Sequence, residues 1–220
     1  MAIPAIAAYP MPTEADLPAA EVTWVPDPAR AMLLIHDMQR YFVNAYPSGR
    51  SPATELVGNI RRLRETADDL GIPVAYTAQP GDMTRAQRGL LHDFWGPGMS
   101  TDPDSQAIIA ELAPAEQDTV LTKWRYSAFH RTGLQGLLTD RGRDQLIICG
   151  IYAHIGCLMT ACDAFALDVQ PFFVADALAD FSLAEHLMAV RYATQRCAVA
   201  ITTQRLLSGL RQDHTLLPVS

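Results

Sequence analysis

Asp37, Gln79, Lys123 and the segment Tyr152 to Gly156 share one property: each stands where a short apolar run gives way to polar residues. A carboxylate and an ammonium brought together at such points can hold an anion and move a proton. Lys123 opens the run KWRYSAF (Lys123 to Phe129), in which Arg125 adds a second cation among Trp124, Tyr126 and Phe129. Cations amid aromatic rings suit an anionic, ring-bearing ligand. In RGLLHDFWGPGM (Arg88 to Met99), Phe94 and Trp95 lie beside Gly96-Pro97-Gly98. Large aromatics on a glycine-rich loop are expected to cover a pocket or a subunit boundary. Each position alone has a plainer use, since an aspartate after a strand often caps a helix or shapes a turn, and a lysine there is often a solvated edge charge. Four strand ends supplying polar groups together point to a site.

The elements that must position these groups alternate along the chain. AMLLIHD (Ala31 to Asp37) reads as a strand buried on both faces. Helical spacing of Leu56, Ile60, Leu63, Ala67 and Leu70 predicts a helix over Ser51 to Gly71. Further strands are predicted at Val74 to Ala78, Thr119 to Lys123, Gln145 to Gly150, Pro171 to Ala175 and Ala198 to Thr203. Helices are predicted at Pro103 to Leu112, Gly133 to Asp140, about His154 to Leu167, Ala184 to Gln195 and near Leu206. This alternation predicts a three-layer α/β/α fold, a Rossmann-like doubly wound parallel sheet of about six strands. Ligands in such sheets bind beyond the carboxyl ends of the strands, near the switch in strand order. Six prolines in the first thirty residues exclude regular structure there, so residues 1–30 are expected to wrap the domain or a partner subunit. No linker or repeat divides the rest, and residues 1–220 read as one domain.

Composition narrows the class. A net charge of −7 over 220 residues argues against a nucleic-acid groove. No apolar stretch reaches the ~20 residues of a membrane span, and the N-terminus lacks the basic start of a signal peptide. Cys149, Cys157, Cys162 and Cys197 form no CxxC pair and read as reduced core thiols of a cytoplasmic protein.

HDMQRYF (His36 to Phe42), YTAQPG (Tyr76 to Gly81), FWGPGM (Phe94 to Met99), TKWRYSAF (Thr122 to Phe129), CGIYAHIGCLMTACDAF (Cys149 to Phe165) and VADALADFS (Val174 to Ser182) together resemble the isochorismatase family, over nearly the whole chain. The family lies within a superfamily of cysteine hydrolases that use an Asp, a Lys and a Cys nucleophile. The resemblance matches Asp37 and Lys123 to the first two. At the nucleophile position stands Gly156, with Cys157 one residue on and expected to face elsewhere. Covalent amide hydrolysis is then unavailable. Isochorismatases share this loss and cleave a vinyl ether, which needs a proton delivered to the terminal CH2 carbon and then water.

The resemblance thus implies Asp37 as general acid, with Lys123 beside it and Gly156 leaving room for substrate. It implies polar substrate contacts from Gln79, Arg88, Lys123, Tyr152 and the Gly156 amide, and apolar walls from Phe42, Phe94, Trp95 and Phe129. It also implies a non-proline cis peptide at Ile151–Tyr152. Metal-binding relatives carry an Asp/His cluster after the second strand, whereas AQPGDMTRAQRG (Ala78 to Gly89) has no histidine, so neither metal nor cofactor is expected. His154 is expected to be a structural hydrogen-bonder. The substrates implied are 2-amino-2-deoxyisochorismate, favoured because the tail SGLRQDHTLLPVS leaves no room for a carrier-protein domain, and isochorismate. A homodimer is expected. Two other classes stay open: an amidohydrolase using Cys157, and a non-catalytic scaffold.

Overall fold

In the computed structural model, which describes residues 3–212, six parallel strands form one sheet. They are β1 (Ala31–His36), β2 (Val74–Ala78), β3 (Thr119–Thr122), β4 (Gln145–Ile151), β5 (Gln170–Ala179) and β6 (Val199–Ile201), in spatial order β3-β2-β1-β4-β5-β6. The helices are α1 (Arg40–Val43), α2 (Ala53–Asp69), α3 (Arg85–Arg88), α4 (Leu91–Trp95), α5 (Pro103–Gln106), α6 (Leu134–Asp140), α7 (Leu158–Ala166), α8 (Leu183–Arg196) and α9 (Thr203–Leu210). The tail beyond Gln212, on which the expectation about a carrier domain rests, lies outside the described residues.

The doubly wound sheet follows from how its central strands are buried. Every residue of β1 and β4 is buried, so alternate side chains enter different layers. Leu33, Ile35 and Ile147 pack with Leu56, Ile60 and Leu63 of α2 and Leu206 of α9. Met32, Leu34 and Ile148 pack with Leu134 of α6, Ala161 of α7 and Val190 of α8. Each fully buried Leu or Ile contributes about 1.5–3 kcal/mol, which outweighs the weak propensities of the short strands. The order reverses between β1 and β4, and the carboxyl ends of these two strands carry Asp37 and Tyr152.

The short helices α1, α3 and α4 were not predicted, β6 ends at Ile201 because Thr203 opens α9, and three other elements differ from the predicted ones for a visible physical reason. Only Pro103–Gln106 of the expected helix Pro103 to Leu112 is α-helical, because the chain then runs beside the β1 exit, with Arg40 N–H donating to Ala107 and Ile109 N–H to Met38. β5 runs on to Ala179 past Asp176, whose carboxylate accepts the Thr203 amide (2.6 Å) and hydroxyl (2.7 Å) instead of ending the strand. The helix expected from His154 opens with a π-type turn, Ala153–Cys157. Gly150, at φ +112, permits the bend before that turn, since a Cβ there would meet the His36 backbone.

The N-terminal arm is pinned to its own domain. Ile6 N–H donates to Ala45 (2.8 Å), Val25 accepts from the Gln145 side chain (2.9 Å), and the Tyr9 hydroxyl accepts the Asp180 amide (2.6 Å). His186 is held between that hydroxyl (3.2 Å) and the Ala175 carbonyl (2.9 Å).

Burial holds the imidazoles of His186 and His36 down to about 4, so both are neutral in the folded protein at neutral pH. The unfolded chain takes up protons below about pH 6.5 and the folded one does not, so stability falls between there and pH 4. The loss at pH 5 is about 2 kcal/mol for each histidine. Thermal melts should therefore show Tm falling by on the order of 10 °C from pH 7 to pH 5; an unchanged Tm would contradict neutral burial.

Candidate active site

Asp37 leaves β1 at φ +49, a left-handed conformation that aspartate tolerates better than most residues. Its amide donates to Thr77 Oγ1 (3.1 Å), and Thr77 Oγ1 donates in turn to Asp37 Oδ1 (2.6 Å). Oδ2 takes Lys123 Nζ at 2.7 Å and Gln79 Nε2 at 3.0 Å. Both charged partners are buried, Asp37 at 4% exposure and Lys123 at 2%. Burial alone would raise the carboxyl, but the Lys123 ammonium and the donated hydrogen bonds outweigh it and hold Asp37 below the usual range. His36, being neutral, adds no positive charge to that balance. The resting group is a carboxylate.

Gln79 is oriented by the loops around it. Gln39 accepts the Gln79 amide (2.8 Å) and donates to the Gln79 carbonyl (2.9 Å), and Arg88 Nη1 donates to Gln79 Oε1 (3.3 Å). Arg88 is itself fixed by Nε donating to Gly96 (3.1 Å). Across the cleft, Trp95 Nε1 donates to the Tyr126 hydroxyl (2.8 Å), and the Trp95 ring lies 5.9 Å from that of Phe181. The α3–α4 segment and the loop after β3 thereby close one side of a cavity at the strand switch.

Of the residues singled out in the sequence, Asp37, Gln79, Arg88, Lys123, Phe42, Trp95, Tyr152 and Gly156 line this cavity. Phe94 and Phe129 do not. Phe94 is 70% exposed, because neighbouring positions on a helix point to different sides and α4 turns Trp95 inward. Phe129 packs on the core layer that holds Leu134. Tyr152 joins the cavity with its ring, while its hydroxyl donates to the Phe42 carbonyl (3.0 Å) and is no free donor. The Ile151–Tyr152 peptide is cis, as the resemblance implied, and Ser51–Pro52 is cis as well.

Gly156 corrects one expectation. A Cβ there would collide with the ring of His36, reaching 2.9 Å from Nε2, so the space freed by the glycine is filled by that imidazole. His36 was missed as a site residue, as were Thr77, Gln39, Tyr41, Arg125, Tyr126 and Phe181. Arg125 carried a signal in the KWRYSAF run, whereas Thr77 had none, since only the β1–β2 pairing His36↔Thr77 brings it to Asp37. Cys157 is fully buried among Ala153, Leu158 and Ala161, and burial holds its thiol well above the ordinary range. His154 does bond structurally, its amide and Nδ1 meeting the Asp180 carboxylate at 2.7 and 2.6 Å. Among the described residues no three His, Cys, Asp or Glu side chains converge as a metal cluster, and no helix is long and apolar enough to cross a membrane.

The isochorismatase domain model matches residues 31–205. The chain is 60% identical over 211 residues to the isochorismatase of Bacillus subtilis, covering 96% of this chain and 68% of that protein. It is 53% identical over 204 residues to the phenazine biosynthesis protein PhzD of Pseudomonas fluorescens, covering 93% of this chain and 98% of that one. A cysteine hydrolase structure from Pseudomonas syringae superposes with a TM-score of 0.77 at 22% identity, over 85% of this chain and 95% of that one, and shares the fold. The domain match over most of the chain and the two relatives above, on a parallel sheet with a carboxylate–ammonium pair at its strand switch, show that the chain belongs to the isochorismatase family of hydrolases.

Proposed function

We propose that the chain cleaves the enolpyruvyl ether of 2-amino-2-deoxyisochorismate, giving 2,3-dihydro-3-hydroxyanthranilate and pyruvate, with Asp37 as general acid. The observation that carries this reading is the buried Asp37 carboxylate, bonded to Lys123 (2.7 Å) and Gln79 (3.0 Å) in a cavity lined by no cysteine. Such a site has no thiolate with which to form an acyl-enzyme, but it has a group able to give a proton to carbon. The proton goes to the terminal CH2, an oxocarbenium ion forms, water adds, and the hemiketal collapses to pyruvate and the ring alcohol.

Asp37 must first take up that proton. Substrate carboxylates entering the cavity add negative charge beside it and compete for Lys123, and both effects raise its affinity for a proton. Arg88 and Arg125 supply two further cations in the lining for the same carboxylates, and the rings of Phe42, Trp95 and Tyr152 supply walls for the cyclohexadiene. The 53% identity to PhzD, along 98% of that protein's length, supports the amino substrate.

Isochorismate, giving 2,3-dihydro-2,3-dihydroxybenzoate and pyruvate, is the second reading. It is favoured by the 60% identical relative and by the cavity's charge, since among the described residues the lining holds no carboxylate except Asp37 to meet an ammonium. Pyruvate release, coupled to lactate dehydrogenase, decides on both purified substrates: higher kcat/KM on the amino compound supports the first reading, and a strong preference for isochorismate overturns it. The same scheme has the enzyme working as a homodimer in the cytoplasm. Exposed Met188 and Tyr192 on α8 support a second copy, and the unpaired cysteines support a reducing compartment; sedimentation at a monomer's mass would exclude the dimer.

Asp37→Asn keeps the shape and removes the acid, so kcat should fall about 10²–10⁴-fold or more in a protein that still folds, at lower stability because Lys123 loses its buried partner; an unimpaired variant would remove the mechanism. Because Asp37 is held ionised in the free enzyme, the fraction carrying a proton shrinks as pH rises. Accordingly kcat/KM should fall about tenfold per pH unit through the neutral range, and a pH–rate profile rising with pH would contradict the assignment. Full activity after iodoacetamide treatment is expected, given the burial of Cys157.

A further inference from the structure

The hydrolysis proposed above needs a second participant, because water must be held beside the oxocarbenium carbon and relieved of a proton as it adds. His36 lines the cavity at 0% exposure, directly after the core of β1 and one residue before Asp37. Its Nδ1 lies 2.9 Å from the Ile151 carbonyl and 3.8 Å from Asp37 Oδ2. A carbonyl only accepts, so Nδ1 carries the ring's hydrogen in the neutral imidazole. Nε2 is then a bare acceptor, and it is a buried polar atom with no hydrogen-bond partner among the described residues. Buried polar atoms are normally satisfied, and this one, closed off in the free protein beside the cavity, takes a water as its partner once the wall around it gives way by a small shift. The Tyr126 backbone is a second acceptor acting on the ring, and Nε2 makes no hydrogen bond of acceptable distance and angle with it.

Gly156 makes this arrangement possible, because any side chain there would displace the imidazole. The ring therefore stands over the place where the superfamily's attacking sulfur would be.

We propose that His36 is a catalytic residue of the same reaction, its Nε2 holding the attacking water and acting as general base when that water adds. This rests on the vinyl-ether reading. The proton balance closes. Asp37 gives its proton to the CH2 carbon, which becomes the methyl of pyruvate. As the water oxygen bonds to the oxocarbenium carbon, one of its protons passes to Nε2. The imidazolium then returns this proton to the ring oxygen as the ether C–O bond breaks. The remaining hydroxyl proton passes to the Asp37 carboxylate as the pyruvate carbonyl forms. The added oxygen ends in that carbonyl, and both residues are restored.

If water addition depends on His36, removing its nitrogens should make protonation of carbon reversible. The test is partial turnover in D2O, with unreacted substrate recovered and its vinyl CH2 examined by mass spectrometry. With the unaltered enzyme, recovered substrate should hold no deuterium. With His36→Leu, kcat should fall about 10²–10⁴-fold and recovered substrate should carry deuterium, while His36→Asn, which keeps an acceptor, should regain part of the rate. Unchanged kcat in His36→Leu, or a lost rate with no deuterium in recovered substrate, would overturn the proposal. Should His36→Leu not fold, 15N NMR of histidine-labelled unaltered protein decides: an unprotonated Nε2 with a protonated Nδ1 is expected, and the opposite tautomer, with Nε2–H turned to the Tyr126 carbonyl, overturns it. Absence of pyruvate from either enol ether with the unaltered enzyme would overturn the functional reading beneath it.

Discussion

A single carboxylate kept away from water organises the molecule. Asp37 is anionic, buried and met by three donors from two strand ends, Thr77 and Gln79 at the end of β2 and Lys123 at the end of β3. A buried charge without partners is costly, and breaking a buried pair by deleting one member typically destabilises by about 3–5 kcal/mol. The sheet must therefore bring the ends of β1, β2 and β3 to one point, and parallel pairing of these neighbours does so. Gln39 and Arg88 then orient Gln79, so the loops around the cavity are tied to the same charge.

The pair also sets the chemical problem. Lys123 makes Asp37 a poor proton donor at rest, and the general-acid role requires a ligand whose own charges alter that balance. In the proposed reaction an anionic substrate supplies that change, and proton delivery is confined to moments when something with the right charge is bound. Neutral His36, against the same carboxylate, contributes a lone pair where a cation would only have deepened the ionisation of Asp37.

Much of this was legible in the residues. Wholly apolar runs such as Met32 to Ile35 can be little else than central parallel strands, and polar groups at their ends mark the switch region. Other parts depend on distances that no local pattern encodes. Thr77 sits in an ordinary strand, and its contact with Asp37 exists only because β2 is the neighbour of β1. Phe94 and Trp95 look equivalent in sequence, yet a short helix turns one inward and the other to solvent. Asp176 looked like a strand end until α9, more than twenty residues later, supplied donors for its side chain. The role of Gly156 was read with the wrong beneficiary, because a glycine announces free space without naming what fills it.

The interlock between Gly156 and the ring at position 36 also constrains how such a fold can change its chemistry. Restoring a sulfur at 156 by one substitution would drive the new side chain into the imidazole, and trimming position 36 alone would open a void with nothing to attack from it. A side chain at 156 and an imidazole at 36 therefore exclude each other in this packing, so a change of residue at either position calls for a matching change at the other.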